Sequence, residues 1–232
     1  MTAGMGSSFD PDRIAAWRGR LDNTSGARSP AARKLLWQRA IALTLGFVVL
    51  LYVIEGVDIL TGHDLDRVAG IRPRSIAGLD GVAFAPLLHA GWPHLLGNTL
   101  PVIVLGLLTM LTGIGRGIAA TAIIWVVSGL GAWLISASNT VTIGASGLVF
   151  GWLLYLISRG LFARNVWQIV LGVVVGLLYG GILLGVLPGQ SGISWQDHLF
   201  GAVGGLIAGW LLSGDERRLR RGAGPGRLPS AG

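Results

Sequence analysis

The chain has 232 residues, 52% hydrophobic and only 12% charged, with a mean hydropathy of +0.65; a soluble domain carries roughly a quarter charged residues, so bulk water is excluded as its main solvent. The absence of cysteine excludes disulfides, thiolate catalysis and cysteine-ligated metals, and leaves serine and histidine chemistry open. The net charge of +7 lies mostly in two polar tails, where anionic lipid headgroups explain it more simply than nucleic acid does, and no nucleic-acid partner is expected.

Residues 1–36 are rich in Gly, Ser, Ala, Asp and Arg without a sustained apolar period, and read as a flexible basic tail. The first apolar stretch starts only near Trp37, which argues against a cleaved signal peptide. No Asp, Glu, Lys or Arg falls between Asp80 and Arg116, between Arg116 and Arg159, or between Arg164 and Asp197. A bilayer crossing needs about 20 mostly apolar residues, so the pattern predicts six crossings, at 38–56, 93–113, 117–137, 145–163, 166–187 and 194–213. The expected architecture is an all-α polytopic bundle over 37–213, followed by a basic tail at 214–232. The connection 57–92 is the single long loop. Fifteen of the 18 Lys and Arg residues fall in the segments on one side of this topology, so the positive-inside bias puts both termini in the cytosol. Crossings two, four and six then begin at the outer face.

Those three starts carry the polar residues. Crossing two opens with His89-Ala90-Gly91-Trp92-Pro93-His94 and continues to Asn98; crossing four opens with Gly144-Ala145-Ser146-Gly147; crossing six opens with Asp197-His198. An ionisable side chain within a membrane span is costly unless it pairs or lines a wet space, and so marks a candidate site. Residues three or four apart share a helix face, so His198, Gly201 and Gly205 form one stripe and Gly147 and Gly151 a matching one below Ser146. Small stripes let helices approach closely. Packing along them predicts Ser146 within hydrogen-bond reach of His198, as nucleophile and general base. His94 and Asn98, four apart, and the Ser146 backbone N–H are candidate donors to the oxyanion. No carboxylate is well placed to orient His198, since Asp197 is its immediate neighbour and points elsewhere on a helix. A dyad is expected, with stacking or a backbone carbonyl fixing the imidazole. No metal or cofactor is required.

These residues resemble the rhomboid family of intramembrane serine proteases, in HAGWPHLLGN, in Gly144-Ala145-Ser146-Gly147 and in the His198, Gly201, Gly205 pattern, met in that order along six crossings. The resemblance implies Ser146 as nucleophile, His198 as general base and then acid, and His94, Asn98 and the Ser146 N–H as the oxyanion hole. It implies a structural or entrance-lining role for His89, and for Phe150 the place where the family often has a tyrosine against the catalytic histidine. Many members carry a Trp-Arg pair about nine residues before the first histidine; here Asp80 and Gly81 stand there, and Arg72-Pro73-Arg74 is expected to serve the loop by anchoring to headgroups.

The implied substrates are membrane-spanning proteins whose helices unwind near the outer face; Pro188, Gly189 and Gly192 in a weakly polar loop suggest the fifth helix or the loop 188–194 as a movable gate. Composition suggests a bacterial inner or plasma membrane, and leaves the oligomeric state open. A non-catalytic helix-binding adaptor or chaperone of the same fold is the alternative reading. A small-solute transporter is a further one, though it predicts polar groups nearer the bilayer midplane.

Overall fold

Without water in the hydrocarbon core, a spanning chain must satisfy its backbone polar groups internally, as a helix does. The computed structural model describes residues 29–62, 64–190 and 192–214, and among these the ordered elements are helical, with one isolated antiparallel bridge between Ile71 and Thr142. The elements are α1 (Pro30–Leu60), α2 (Asp64–Ala69), α3 (Gly81–Phe84), α4 (Trp92–Leu111), α5 (Ile114–Ile135), α6 (Ser146–Ala163), α7 (Val166–Tyr179) and α8 (Trp195–Leu212). Among the described residues, α1, α4, α5, α6 and the 166–186 segment that begins with α7 are long and apolar enough to cross a membrane. The chain divides after Gln38 into two units, and the candidate site residues all lie in the second.

Helix ends follow from local chemistry. Gly91, at φ 93°, turns the chain into α4, whose first turn holds Pro93, a residue already set for a helix start. Asn165 caps α7 by accepting from Trp167 N–H at 3.1 Å, and Arg164 closes α6 in a left-handed conformation. The helices fall within a few residues of the predicted crossings, with three differences. Helix α1 starts at Pro30, inside the stretch expected to be tail, because the basic residues 33, 34 and 39 lie on a helical extension. The fifth crossing is α-helical only to Tyr179 and continues as a 3-10 segment, Gly180–Val186. The connection 57–92 is not an open loop but holds α2, α3 and two 3-10 turns. Predicted tail residues 1–28 and 215–232 lie outside the described residues.

Helix α6 is the centre of the packing, with Leu148, Leu153, Tyr155 and Leu156 at most 1% exposed. It meets α8 along the two glycine stripes. A Cβ on Gly201 would run into the Gly147 carbonyl, and one on Gly205 into the Gly151 carbonyl, so only glycine permits this approach. On its other side α6 touches α5, where Ile124 fills the space beside Gly151.

The 57–91 connection is strapped to the segment preceding α6. Ile71 and Thr142 exchange both backbone hydrogen bonds at 3.0 Å. Arg74, held at φ 56°, donates through Nη1 to the carbonyls of Leu134 (3.0 Å) and Ser136 (2.7 Å) and through Nη2 to Ser138 Oγ. Arg72 Nη2 donates to the Ala77 carbonyl at 2.5 Å. In this structure their donors close the C-terminal end of α5 and the loop itself, satisfying carbonyls that lack intrahelical partners.

Candidate active site

Ser146 is the first residue of α6, and the turn that presents it is made by Gly144 at φ 118°. Three fastenings set that turn. Gly144 N–H donates to the Ala85 carbonyl at 2.8 Å, Ala145 N–H to His89 Nε2 at 3.4 Å, and the Thr142 hydroxyl to Ser194 Oγ at 3.3 Å. Burial, and after it the neighbouring His94, push the His89 imidazole down from its ordinary 6.5 to about 3. A neutral ring at 1% exposure keeps a lone pair on Nε2 for the Ala145 amide. His89, expected to be structural or entrance-lining, is buried beneath the turn that carries Ser146.

His94 sits on the first turn of α4 with its ring 5.0 Å from that of His89. Its Nδ1 accepts from Ala90 N–H at 3.3 Å, so the ring hydrogen resides on Nε2. That Nε2 and Ser146 Oγ border one small space: a Cβ built on Gly144 would lie 2.9 Å from the first and 3.7 Å from the second. Asn98, one turn further along α4 and 8% exposed, donates one amide hydrogen to the His94 carbonyl at 3.2 Å and has a second hydrogen to offer.

His198 lies in the first turn of α8, 8% exposed. Its imidazole stacks on Phe150, with centroids 4.0 Å apart and planes 12° from parallel. Phe150 is four residues after Ser146 and shares its face of α6. The His198 Nδ1 is 2.9 Å from the Gly185 carbonyl, and since a carbonyl only accepts, Nδ1 carries the hydrogen and Nε2 the lone pair. Gly185 belongs to the 3-10 segment after α7, and a Cβ there would come within 2.9 Å of Phe150 Cζ and 3.0 Å of His198 Nδ1. Among the described residues the His198 ring is bonded to Gly185 and not to Ser146, so the hydrogen bond expected between the dyad partners is not made in this state. Catalytic hydrogen bonds of this kind often close only when substrate is bound.

Asp197 faces away from the imidazole, toward α5 and α6, where Ser128 donates to its carboxylate. The expected backbone carbonyl and stacked ring at His198 are both present, but residue types do not identify which carbonyl, nor Ser128 as the partner of Asp197. The Gly185 acceptor is a backbone atom with no signature in residue types, and Ser128 is a lone hydroxyl in an apolar run. No group of three or more His, Cys, Asp or Glu suited to a metal ion occurs among the described residues.

Comparison with known proteins gives a concordant result. The Rhomboid domain family matches residues 79–215, more than half of the chain. A Mycobacterium bovis protein, named only as uncharacterized, is 56% identical over 184 residues, 76% of each chain. A Mycobacterium leprae protein, also uncharacterized, is 47% identical over 196 residues, 81% of this chain and 77% of its own. Rhomboid-like protease 5 of Toxoplasma gondii is 32% identical over 148 residues, 60% of this chain and 17% of that much longer protein. No solved structure matches.

Proposed function

We propose, from the premise that the chain belongs to the rhomboid family, that it is an intramembrane serine endopeptidase cleaving peptide bonds in or near the membrane-spanning helices of other proteins. The observation that carries this reading is the His198 ring, stacked on Phe150 and hydrogen-bonded through Nδ1 to the Gly185 carbonyl, which leaves Nε2 basic on the seam shared with Ser146. Ser146 Oγ attacks the carbonyl of an unwound segment while His198 Nε2 takes its proton. The tetrahedral oxyanion is met by His94 Nε2–H, the free hydrogen of Asn98 and the Ser146 N–H, in a site where fixed donors are worth far more than in water. His198 then protonates the leaving amine. Water, activated by the same nitrogen, releases the acyl group from Ser146.

Two parts of the topology belong to the same proposal. Helix α8 is read as a sixth crossing: its 18 residues extend about 27 Å at the usual rise, near the thickness of the hydrocarbon core. Both termini are read as cytosolic, which sets Ser146 and His198 just beneath the outer face of a bacterial cell membrane.

Reconstituted in liposomes with a transmembrane test substrate, the protein is expected to cleave it, and Ser146→Ala to abolish cleavage without loss of folded protein. Cleavage by the serine variant at the normal rate would refute the reading. Binding of the helix with no cleavage by either form would favour the adaptor alternative.

A further inference from the structure

Helix α6 opens without a cap of its own. Ala145 stands at the cap position and has no side-chain acceptor, so the N–H groups of the first turn must find partners elsewhere. Val149 N–H returns to the Ala145 carbonyl at 3.1 Å, while Gly144 and Ala145 donate to Ala85 and His89 as described above. Ser146, Gly147 and Leu148 are the residues between. The carboxylate of Asp197, across the seam on α8, lies against this open turn at Gly147. The approach is close: a Cβ on Gly147 would lie 2.5 and 2.7 Å from the two carboxylate oxygens.

Asp197 is 6% exposed, and a buried carboxylate persists only where donors and positive ends of dipoles receive it. Here the Ser128 hydroxyl of α5 donates to it and also lies 3.0 Å from the Asp197 carbonyl oxygen. The first turns of α6 and α8 both present their positive ends. The position of the carboxylate is set from its own side as well, since Asp197 N–H donates to Ser194 Oγ at 3.4 Å, the same hydroxyl that Thr142 reaches from the segment before α6.

We infer that Asp197 is a positioning residue for the nucleophile: it caps α6 from the neighbouring helix, occupies the Gly147 N–H, and so leaves the adjoining Ser146 N–H as the amide aimed at the oxyanion. Asp197 and His198, neighbours in sequence, divide their tasks by the turn of the helix. His198 faces Phe150 and Gly185, while Asp197 faces Gly147 and Ser128 and sets where Ser146 stands. The inference rests on the protease reading for its catalytic consequence, but not for its structural one.

The test uses the full chain in detergent or liposomes, with Asp197→Ala, Asp197→Asn and Ser128→Ala. Hydrogen exchange over 146–150 reads the cap, and kcat and KM for a transmembrane substrate read its consequence. In Asp197→Ala, exchange at Gly147 is expected to accelerate and kcat to fall about tenfold to a hundredfold with KM little changed, the scale for a misplaced oxyanion donor. Asp197→Asn keeps an oxygen for the Gly147 N–H and should recover most of both, and Ser128→Ala should fall between. If Asp197→Ala does not fold, the Asn and Ser128 variants carry the same comparison. Unchanged exchange at Gly147, or an unchanged kcat in a folded variant, would overturn the inference. A wild-type chain that cleaves nothing, with exchange still responding to Asp197→Ala, would instead refute the protease reading and leave the cap standing.

Discussion

Helices α6 and α7 are neighbours in sequence and opposites in packing: 72% of the α6 span is buried, against 11% of the segment 166–186. The first is pinned by glycine contacts to α8 and by Ile124 of α5; the second exposes Val173, Leu177 and Leu178 along most of its length. Ser146, Phe150 and His198 sit on the tightly packed seam, whereas the Gly185 carbonyl bonded to His198 sits on the least buried of the candidate spans. Weakly packed elements open first. A displacement of 180–186, the course expected of a gate, would take away the Nδ1 acceptor while leaving Ser146 and His198 in place.

Breaking the seam should have the largest effect. Gly201→Ala drives a Cβ into the Gly147 carbonyl, and overpacking of this kind is expected to cost about 3 kcal/mol or more, seen as loss of folded protein in size-exclusion and thermal melts. The matched change Gly176→Ala on α7, where a Cβ would meet only Ile157 atoms at 3.6 and 3.8 Å, should leave the melt nearly unchanged. Equal sensitivity of the two helices would remove the contrast.

A smaller effect is expected where seam and cover meet. Phe150→Ala removes the ring under His198, and the loss of one aromatic stack, about 0.5–1.5 kcal/mol, should lower kcat by up to about tenfold. Phe150→Tyr keeps the ring and should retain activity. Identical rates for all three would show that stacking does not hold the base.

The most diagnostic effect concerns pH. Because His89 is held well below its ordinary 6.5, at about 3, the unfolded chain takes up a proton that the folded chain refuses. Its share of stability is therefore complete above about pH 6.5 and lost progressively as pH falls toward 3. Melting temperature in detergent should drop across that window, and His89→Gln, which can still accept from Ala145 N–H, should flatten the drop. A curve unaltered by the substitution would assign the acid sensitivity elsewhere.

What the sequence made legible was periodic: apolar runs gave the helices to within a few residues, and i to i+4 spacing gave the shared faces of His94 and Asn98 and of Ser146 and Phe150. What it hid depends on backbone atoms or on partners far along the chain. The basic residues near Arg33 masked the start of α1, because charge signals the end of an apolar run and not the end of a helix. The Arg74 bonds to Leu134 and Ser136 span some sixty positions, and nothing local in Arg72-Pro73-Arg74 distinguishes a carbonyl from a headgroup as their acceptor. Helix geometry separates Asp197 from His198, but its surroundings, Ser128 and Gly147, come from two other helices and leave no local trace.

The account turns on a serine made nucleophilic by an imidazole on a different helix. The direct measurement is the rate at which a small fluorophosphonate modifies the protein in detergent, with the site read by mass spectrometry, for the wild type and for His198→Ala. Modification confined to Ser146 and slowed at least about a hundredfold without the imidazole is the predicted result, the scale of lost general-base catalysis. An unmodified Ser146, or equal rates in the two proteins, would contradict it.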